Sequence, residues 1–253
     1  MKSNPWFSSL LALALLLVCA LGCNKSGGSA TTASPSNSNS APKSATTTAD
    51  IAGEYTVAGT NENGSPYKGA LEVIKHGDVY QFRWNAGKQY DGIGIPNGGV
   101  VAVAFTGGAT GEGCGVVSYH ILADGALDGV WGYWGKNESG TERAERTSGS
   151  GVAGDYNLTG KNPNGSSYKG TLGIASKAGG YTFTWSNGSS GFGIKQADTL
   201  SVGIGGSRCA FVAYEIKPDG TLDGVWGGYG SEQDGNRDGD EEIGAGGRKK
   251  RAA

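Results

Sequence analysis

The sequence predicts an all-β protein made of two homologous antiparallel meander domains, each a small closed or nearly closed barrel of seven or eight strands. Three observations carry this expectation. Residues 53–69 read GEYTVAGTNENGSPYKG and residues 154–170 read GDYNLTGKNPNGSSYKG, a duplication at a constant offset of 101 positions; repetition of that kind marks a shared fold. Short runs alternate apolar and polar residues, most clearly at Tyr80, Phe82 and Trp84, with the two-residue period of a strand that buries one face. Glycine supplies 48 of the 253 residues without a three-residue period. It gathers with Asn and Asp between the apolar runs, where tight hairpins need positive φ.

Taken in order, the chain starts with Lys2, an apolar run over Leu10 to Leu21 and the small residues that precede Cys23. A positive start, a segment shorter than the roughly 20 apolar residues of a spanning helix, and small residues before a cut describe an export signal. The stretch Ala20-Leu21-Gly22-Cys23 resembles a bacterial lipoprotein signal. That resemblance implies cleavage after residue 22 and lipidation of Cys23, and Asn24 in the next position implies the outer membrane. If Cys23 is not lipidated, the expectation becomes a secreted protein. Residues 1–22 are therefore read as the signal peptide and 23–50 as a flexible low-complexity tether. Residues 24–50 hold no aromatic residue and no apolar residue larger than alanine, so ordering them would recover little through burial.

The first β-domain is expected over residues 51–146, with strands near 53–59, 67–75, 79–85, 89–95, 100–105, 114–122 and 126–134. Asn63-Gly64, Gly77-Asp78, Asn97-Gly98 and Asp124-Gly125 punctuate them. The polar stretch 139–146 either adds an eighth strand or leaves the fold. A linker over 147–153 leads to the second β-domain, 154–230, whose strands echo the first set. The offset falls from 101 at Trp84/Trp185 to 99 at Gly94/Gly193 and 95 at Cys114/Cys209 and Trp131/Trp226. These length changes sit in loops, where a strand framework tolerates them. Residues 231–253 read as a charged disordered tail. A calcium loop there would need Glu at its twelfth position, which is Ala245.

Residues repeated in both copies are the candidate site residues. The aromatic set Tyr55, Tyr67, Trp84, Trp131, Tyr156, Tyr168, Trp185 and Trp226 serves as core or as a ligand-facing wall. So small a domain needs its aromatics for burial, which favours core. Cys114 and Cys209 occupy equivalent positions and are the candidate disulfide, with two separate buried thiols as the alternative. No metal or cofactor site is expected: His76 and His120 each occur in one copy only, and no CxxC pair is present. A net charge of −2 gives no strong attraction to nucleic acid.

Each copy is similar to a small bacterial envelope domain of the kind labelled fibronectin-binding-like. The likeness rests on G-x-Y-x-x-x-G-x-N-x-N/D-G-S-x-Y-x-G, an alternating strand ending in Trp, and Y-x-x-x-x-D-G-x-L-x-G-x-W. In copy one these fall on Gly53, Tyr55, Gly59, Asn61, Asn63, Gly64, Ser65, Tyr67, Gly69, Trp84, Tyr119, Asp124, Gly125, Leu127, Gly129 and Trp131. In copy two the corresponding stretch runs from Gly154 to Trp226. The family's Thr-Glu pair is matched by Thr141-Glu142 in copy one, but at the same offset copy two has Asn236-Arg237. The resemblance implies no catalytic residue. It implies a non-catalytic cell-envelope lipoprotein with two similar modules for adhesion or structural interaction. Its expected partners are the membrane, through the lipid anchor, and a matrix protein or envelope polysaccharide. The alternative is a lipocalin-like or avidin-like carrier of a small apolar ligand, which requires a cavity of several hundred Å³. Glycan hydrolysis would instead need two of the recurring carboxylates, Glu54/Asp155, Asp124/Asp219 and Asp128/Asp223, across a cleft.

Overall fold

The computed structural model describes residues 50–61 and 63–228, together with the backbone of 244–249. The expected signal peptide, Cys23 and nearly all of the tether lie outside the described residues. The first half of the chain forms β1 (Gly53–Thr60), β2 (Pro66–His76), β3 (Val79–Asn85), β4 (Gln89–Asn97), β5 (Val100–Gly107), β6 (Gly115–Ile121), β7 (Leu127–Tyr133) and β8 (Gly140–Arg146). The second half repeats them as β9 (Gly154–Lys161), β10 (Ser167–Lys177), β11 (Gly180–Trp185), β12 (Ser190–Gln196), β13 (Thr199–Ile204), β14 (Ala210–Ile216), β15 (Leu222–Gly228) and β16 (Gly244–Lys249). Every pairing between neighbouring strands is antiparallel.

The barrels do not coincide with the repeats. One barrel is continuous in sequence and runs β6 to β13, closing where β13 pairs with β6. The other is discontinuous: β1 to β5 continue into β14 and β15, and β16 closes it by pairing with β15 and β1. Each copy therefore gives its first five strands to one barrel and its last three to the other. The boundaries expected at 51–146 and 154–230 are corrected accordingly, and residues 147–153 join β8 to β9 inside the continuous barrel. The physical reason lies in the duplication. Val103 pairs with Val212 as Val202 pairs with Val117, so the fifth strand of either copy offers an acceptable edge to the sixth strand of the other. The tail is corrected too, since residues 244–249 are a strand.

The chain crosses between barrels twice, at residues 108–114 and again through Gly205–Cys209. A disulfide joins Cys114 to Cys209 at these crossings, with Cα atoms 5.8 Å apart. Around it the barrels pack side by side. The outer faces of β3 to β5 supply Val79, Ile93, Ile95, Ala102 and Ala104, which meet Val116, Val130 and Trp134 of the continuous barrel. Asp91 ties the seam together. Buried in β4, it accepts hydrogen bonds from the Gly111 amide at 3.2 Å, from Gln81 Nε2 at 2.8 Å and from the indole of Trp134.

Each barrel also has its own interior, filled at one end. Tyr55, Leu71, Phe82 and Leu222 are fully buried in the discontinuous barrel, and Tyr156, Leu172, Phe183 and Leu127 in the continuous one. At the closed ends the Tyr55 hydroxyl donates to the Ile51 carbonyl and the Tyr156 hydroxyl to the Val152 carbonyl, both at 2.7 Å. Of the repeated aromatics read as core or ligand-facing, Tyr55 and Tyr156 are thereby core. Burial pushes the Tyr55 phenol up to about 12, helped by the nearby Asp50 charge.

Candidate functional site

The opposite end of each barrel is hollow, and the duplicated motif builds its lip. In the β1–β2 hairpin Asn63 Oδ1 accepts from the Ser65 amide at 3.0 Å and the Ser65 hydroxyl at 2.6 Å, while Asn61 Nδ2 donates to Ser65 Oγ at 3.0 Å. Asn162, Asn164 and Ser166 repeat the arrangement at the same distances. Gly59 stands opposite Tyr67 in the ladder, and a Cβ there would lie 2.4 Å from the Tyr67 ring. Gly160 leaves the same space for Tyr168, where a Cβ would fall at 2.3 Å. A glycine under a tyrosine is thus what lets the ring lie along the mouth.

In the discontinuous barrel the mouth opens into a cavity of about 380 Å³ walled by Tyr67, Trp84, Tyr90, Phe105, Tyr214 and Trp226. Trp84 and Phe105 meet with ring centroids 5.2 Å apart, and Tyr90 meets Phe105 edge to face at 5.9 Å. Trp84 Nε1 donates to the Tyr214 hydroxyl at 3.4 Å. Trp226 Nε1 is buried with no hydrogen bond of normal geometry among the described residues, though it lies close enough to the Tyr67 hydroxyl to lower that phenol against its burial. Burial raises the Tyr214 phenol above its ordinary range, against a smaller lowering by the Trp84 indole.

The mouth of the continuous barrel holds about 320 Å³, with Trp131, Tyr133, Glu142, Tyr168, Trp185 and Ser189 in its wall. Its floor is polar. Glu142, 7% exposed, accepts from Tyr119 and from Trp185 Nε1 at 3.2 Å on one oxygen, and from the Tyr168 hydroxyl at 2.8 Å on the other. Trp131 Nε1 donates in turn to the Tyr168 hydroxyl at 3.0 Å. Burial, then the adjacent Glu142 charge, push the Tyr119 and Tyr168 phenols well up.

The strand registers identify what stands in place of Glu142 in the other barrel. Glu142 is opposite Gly129 and Gly160, and Ala245 is opposite Gly224 and Gly59. The counterpart of Thr141-Glu142 is therefore Gly244-Ala245. The match to Asn236-Arg237 is corrected: the connection before β16 is longer than its equivalent before β8, and a fixed offset cannot see that.

Of the repeated aromatics, Tyr67, Trp84 and Trp226 share one mouth and Trp131, Tyr168 and Trp185 the other. Sequence reasoning did not list Tyr90, Phe105, Tyr133 or Glu142 as site residues. Glu142 had one signal, its place in the family pattern, but GTERAER reads as a solvated strand. Glu54, Asp155, Asp124, Asp219, Asp128 and Asp223 are exposed and none lines either mouth. Among the described residues no catalytic arrangement occurs, and no three His, Cys, Asp or Glu side chains converge as a metal site. No family model, curated protein or solved structure matches the chain.

Proposed function

We propose that this protein is a non-catalytic binder that carries a small, largely apolar ligand in the aromatic mouth of its discontinuous barrel. The observation that supports it is the hollow of about 380 Å³. It lies within the roughly 300–1,000 Å³ of ordinary ligand sites, which are apolar pockets with few polar groups. Here those groups are the Tyr67 and Tyr214 hydroxyls, the Trp226 N–H, Asn61 and the exposed Lys88, which suit a ligand bearing one acceptor. The adhesion reading assumed filled interiors, so the open mouths favour the carrier. A leader resembling a lipoprotein signal and a disulfide, which persists in oxidising compartments, support export and anchoring through Cys23. Mass spectrometry of the mature terminus tests this, and a chain that keeps Met1 would overturn it.

The carrier reading is tested by titrating the protein with N-phenyl-1-naphthylamine, a neutral fluorescent hydrophobe. Saturable enhancement with quenching of tryptophan emission is expected. Ala86→Trp, at the half-buried rim, should abolish the signal while leaving the melting temperature unchanged. Binding that persists in the plugged variant would sink the assignment of this cavity.

A further inference from the structure

Glu142 is a buried carboxylate whose three partners, Tyr119, Tyr168 and Trp185, are neutral donors. No Lys, Arg or His among the described residues forms an ion pair with it. Its neighbour Arg143 lies on the outer face of β8, where it pairs with Asp128 at 3.0 Å, Glu145 at 3.4 Å and Asp124 at 3.7 Å. Lys169, the one cation in the mouth's wall among the described residues, is exposed at the rim. Hydrogen bonds stabilise a buried anion, but they leave its charge in place, and buried charges are as a rule paired. That charge sits beneath Trp131, Tyr133, Tyr168 and Trp185. Aromatic faces and a carboxylate both attract cations, and the two together in a hollow are what a desolvated ammonium group requires.

We infer that the mouth of the continuous barrel binds a small organic cation, an alkylated or quaternary ammonium, with Glu142 as its counter-charge and the surrounding indoles and phenols as its cage. An inorganic cation fits less well, since a single carboxylate offers too few oxygen ligands for a hard metal ion. The bland alternative is that Glu142 serves only to satisfy Tyr119, Tyr168 and Trp185. That role is confined to hydrogen bonds within the protein and gives no preference for a charged over a neutral ligand, which is what makes the two separable. The other barrel, with Ala245 at the corresponding register position, has the aromatic wall without the anion.

Choline and its neutral isostere 3,3-dimethyl-1-butanol are the probes, titrated into the oxidised full chain by calorimetry. Choline should bind about tenfold or more tightly than the isostere, as a charge over desolvated rings implies. Glu142→Gln, which keeps shape and an acceptor, should abolish that preference while binding of the isostere stays the same. If Glu142→Gln does not fold, Lys169→Glu at the exposed rim gives the second reading, with choline expected to bind severalfold more tightly. Equal affinity for the two probes in the native chain, or a preference untouched by both substitutions, would overturn the inference. Ala86→Trp should leave choline binding intact, so failure in one mouth is distinguishable from failure in the other.

Discussion

The two mouths share equivalent wall residues, Tyr67 and Tyr168, Trp84 and Trp185, and Trp226 and Trp131; Tyr214 lines one mouth, and its counterpart Tyr119 is fully buried and donates to Glu142. They differ by register at Glu142 against Ala245 and in their walls, where Tyr90 and Phe105 line one mouth and Ser189, Ile204 and Tyr133 the other. Around the carboxylate every indole N–H finds an acceptor. In the other mouth Trp84 reaches only a long bond to Tyr214, and Trp226 Nε1 has no hydrogen bond of normal geometry among the described residues. Divergence on a duplicated scaffold thus gives one mouth a charged, internally bonded floor and the other a more aromatic wall. The barrels differ in construction as well. The continuous barrel is one unbroken run of strands, β6 to β13, whereas the discontinuous barrel must recruit β14 to β16 from beyond the whole of its partner.

The largest expected effect tests that difference in construction. Cys114 and Cys209 are 95 residues apart in sequence, and the chain-entropy model gives a cross-link of that span about 4–5 kcal/mol of stabilisation. The double replacement Cys114→Ser, Cys209→Ser should lower the denaturation midpoint by a corresponding amount. Because the bond pins the two crossings, amide protection should fall first in β1 to β5 and β14, with β9 to β12 retaining theirs longer. Equal loss in both barrels would show that they unfold as one unit and that the contrast in connectivity carries no energetic weight.

A smaller effect separates the two floors. Tyr119 and Tyr214 occupy equivalent positions, fully buried, but the first donates to a carboxylate and the second is only acceptor to a distant indole. Hydrogen bonds to charged groups contribute about 1.5–3 kcal/mol, neutral ones about 1. Tyr119→Phe should therefore cost about 2 kcal/mol by chemical denaturation, and Tyr214→Phe well under half of that. The pH dependence carries the same sign for both. A phenol whose folded pKa is raised is held neutral by the fold, so its contribution is complete below the unfolded value of about 10 and is lost as pH rises above it. Native protein should lose stability above about pH 10, and Tyr119→Phe should flatten that slope. Identical costs for the two substitutions would mean that Glu142 does not distinguish the barrels.

Much of this was legible beforehand. Alternation at Tyr80, Phe82 and Trp84 located β3, and Asn63-Gly64 located the first hairpin, because strand period and turn chemistry are local properties. The exchange of β6–β8 with β14–β16 was not legible. Equivalent strands carry the same pattern, and a period of two says nothing about which of two matching edges a strand will join. Cys114 and Cys209 held the only hint, since a bond between equivalent positions brings the same point of each copy together. β16 was hidden for another reason: Gly244, Gly246 and Gly247 leave no alternation to read. Glu142 was hidden by its polar neighbours Thr141, Arg143 and Glu145, which face outward while it faces in.

The smallest expected effect concerns the one feature in which the barrels should not differ. Gly64 and Gly165 sit in the two lip hairpins at φ of +78° and +82°, with no atom within 4 Å of where a Cβ would be placed. Replacement by alanine meets no clash, so its cost is that of holding an L residue in the left-handed region, about 1–2 kcal/mol, offset in part by a less flexible unfolded chain. Gly64→Ala and Gly165→Ala should each destabilise by about 1 kcal/mol, and the double variant by their sum, since distant sites add. A clear excess at Gly64 would mean that the lip of the discontinuous barrel feels its cross-chain closure, and that the asymmetry between the barrels extends to a turn whose Asn, Gly and Ser residues and hydrogen bonds are the same in both.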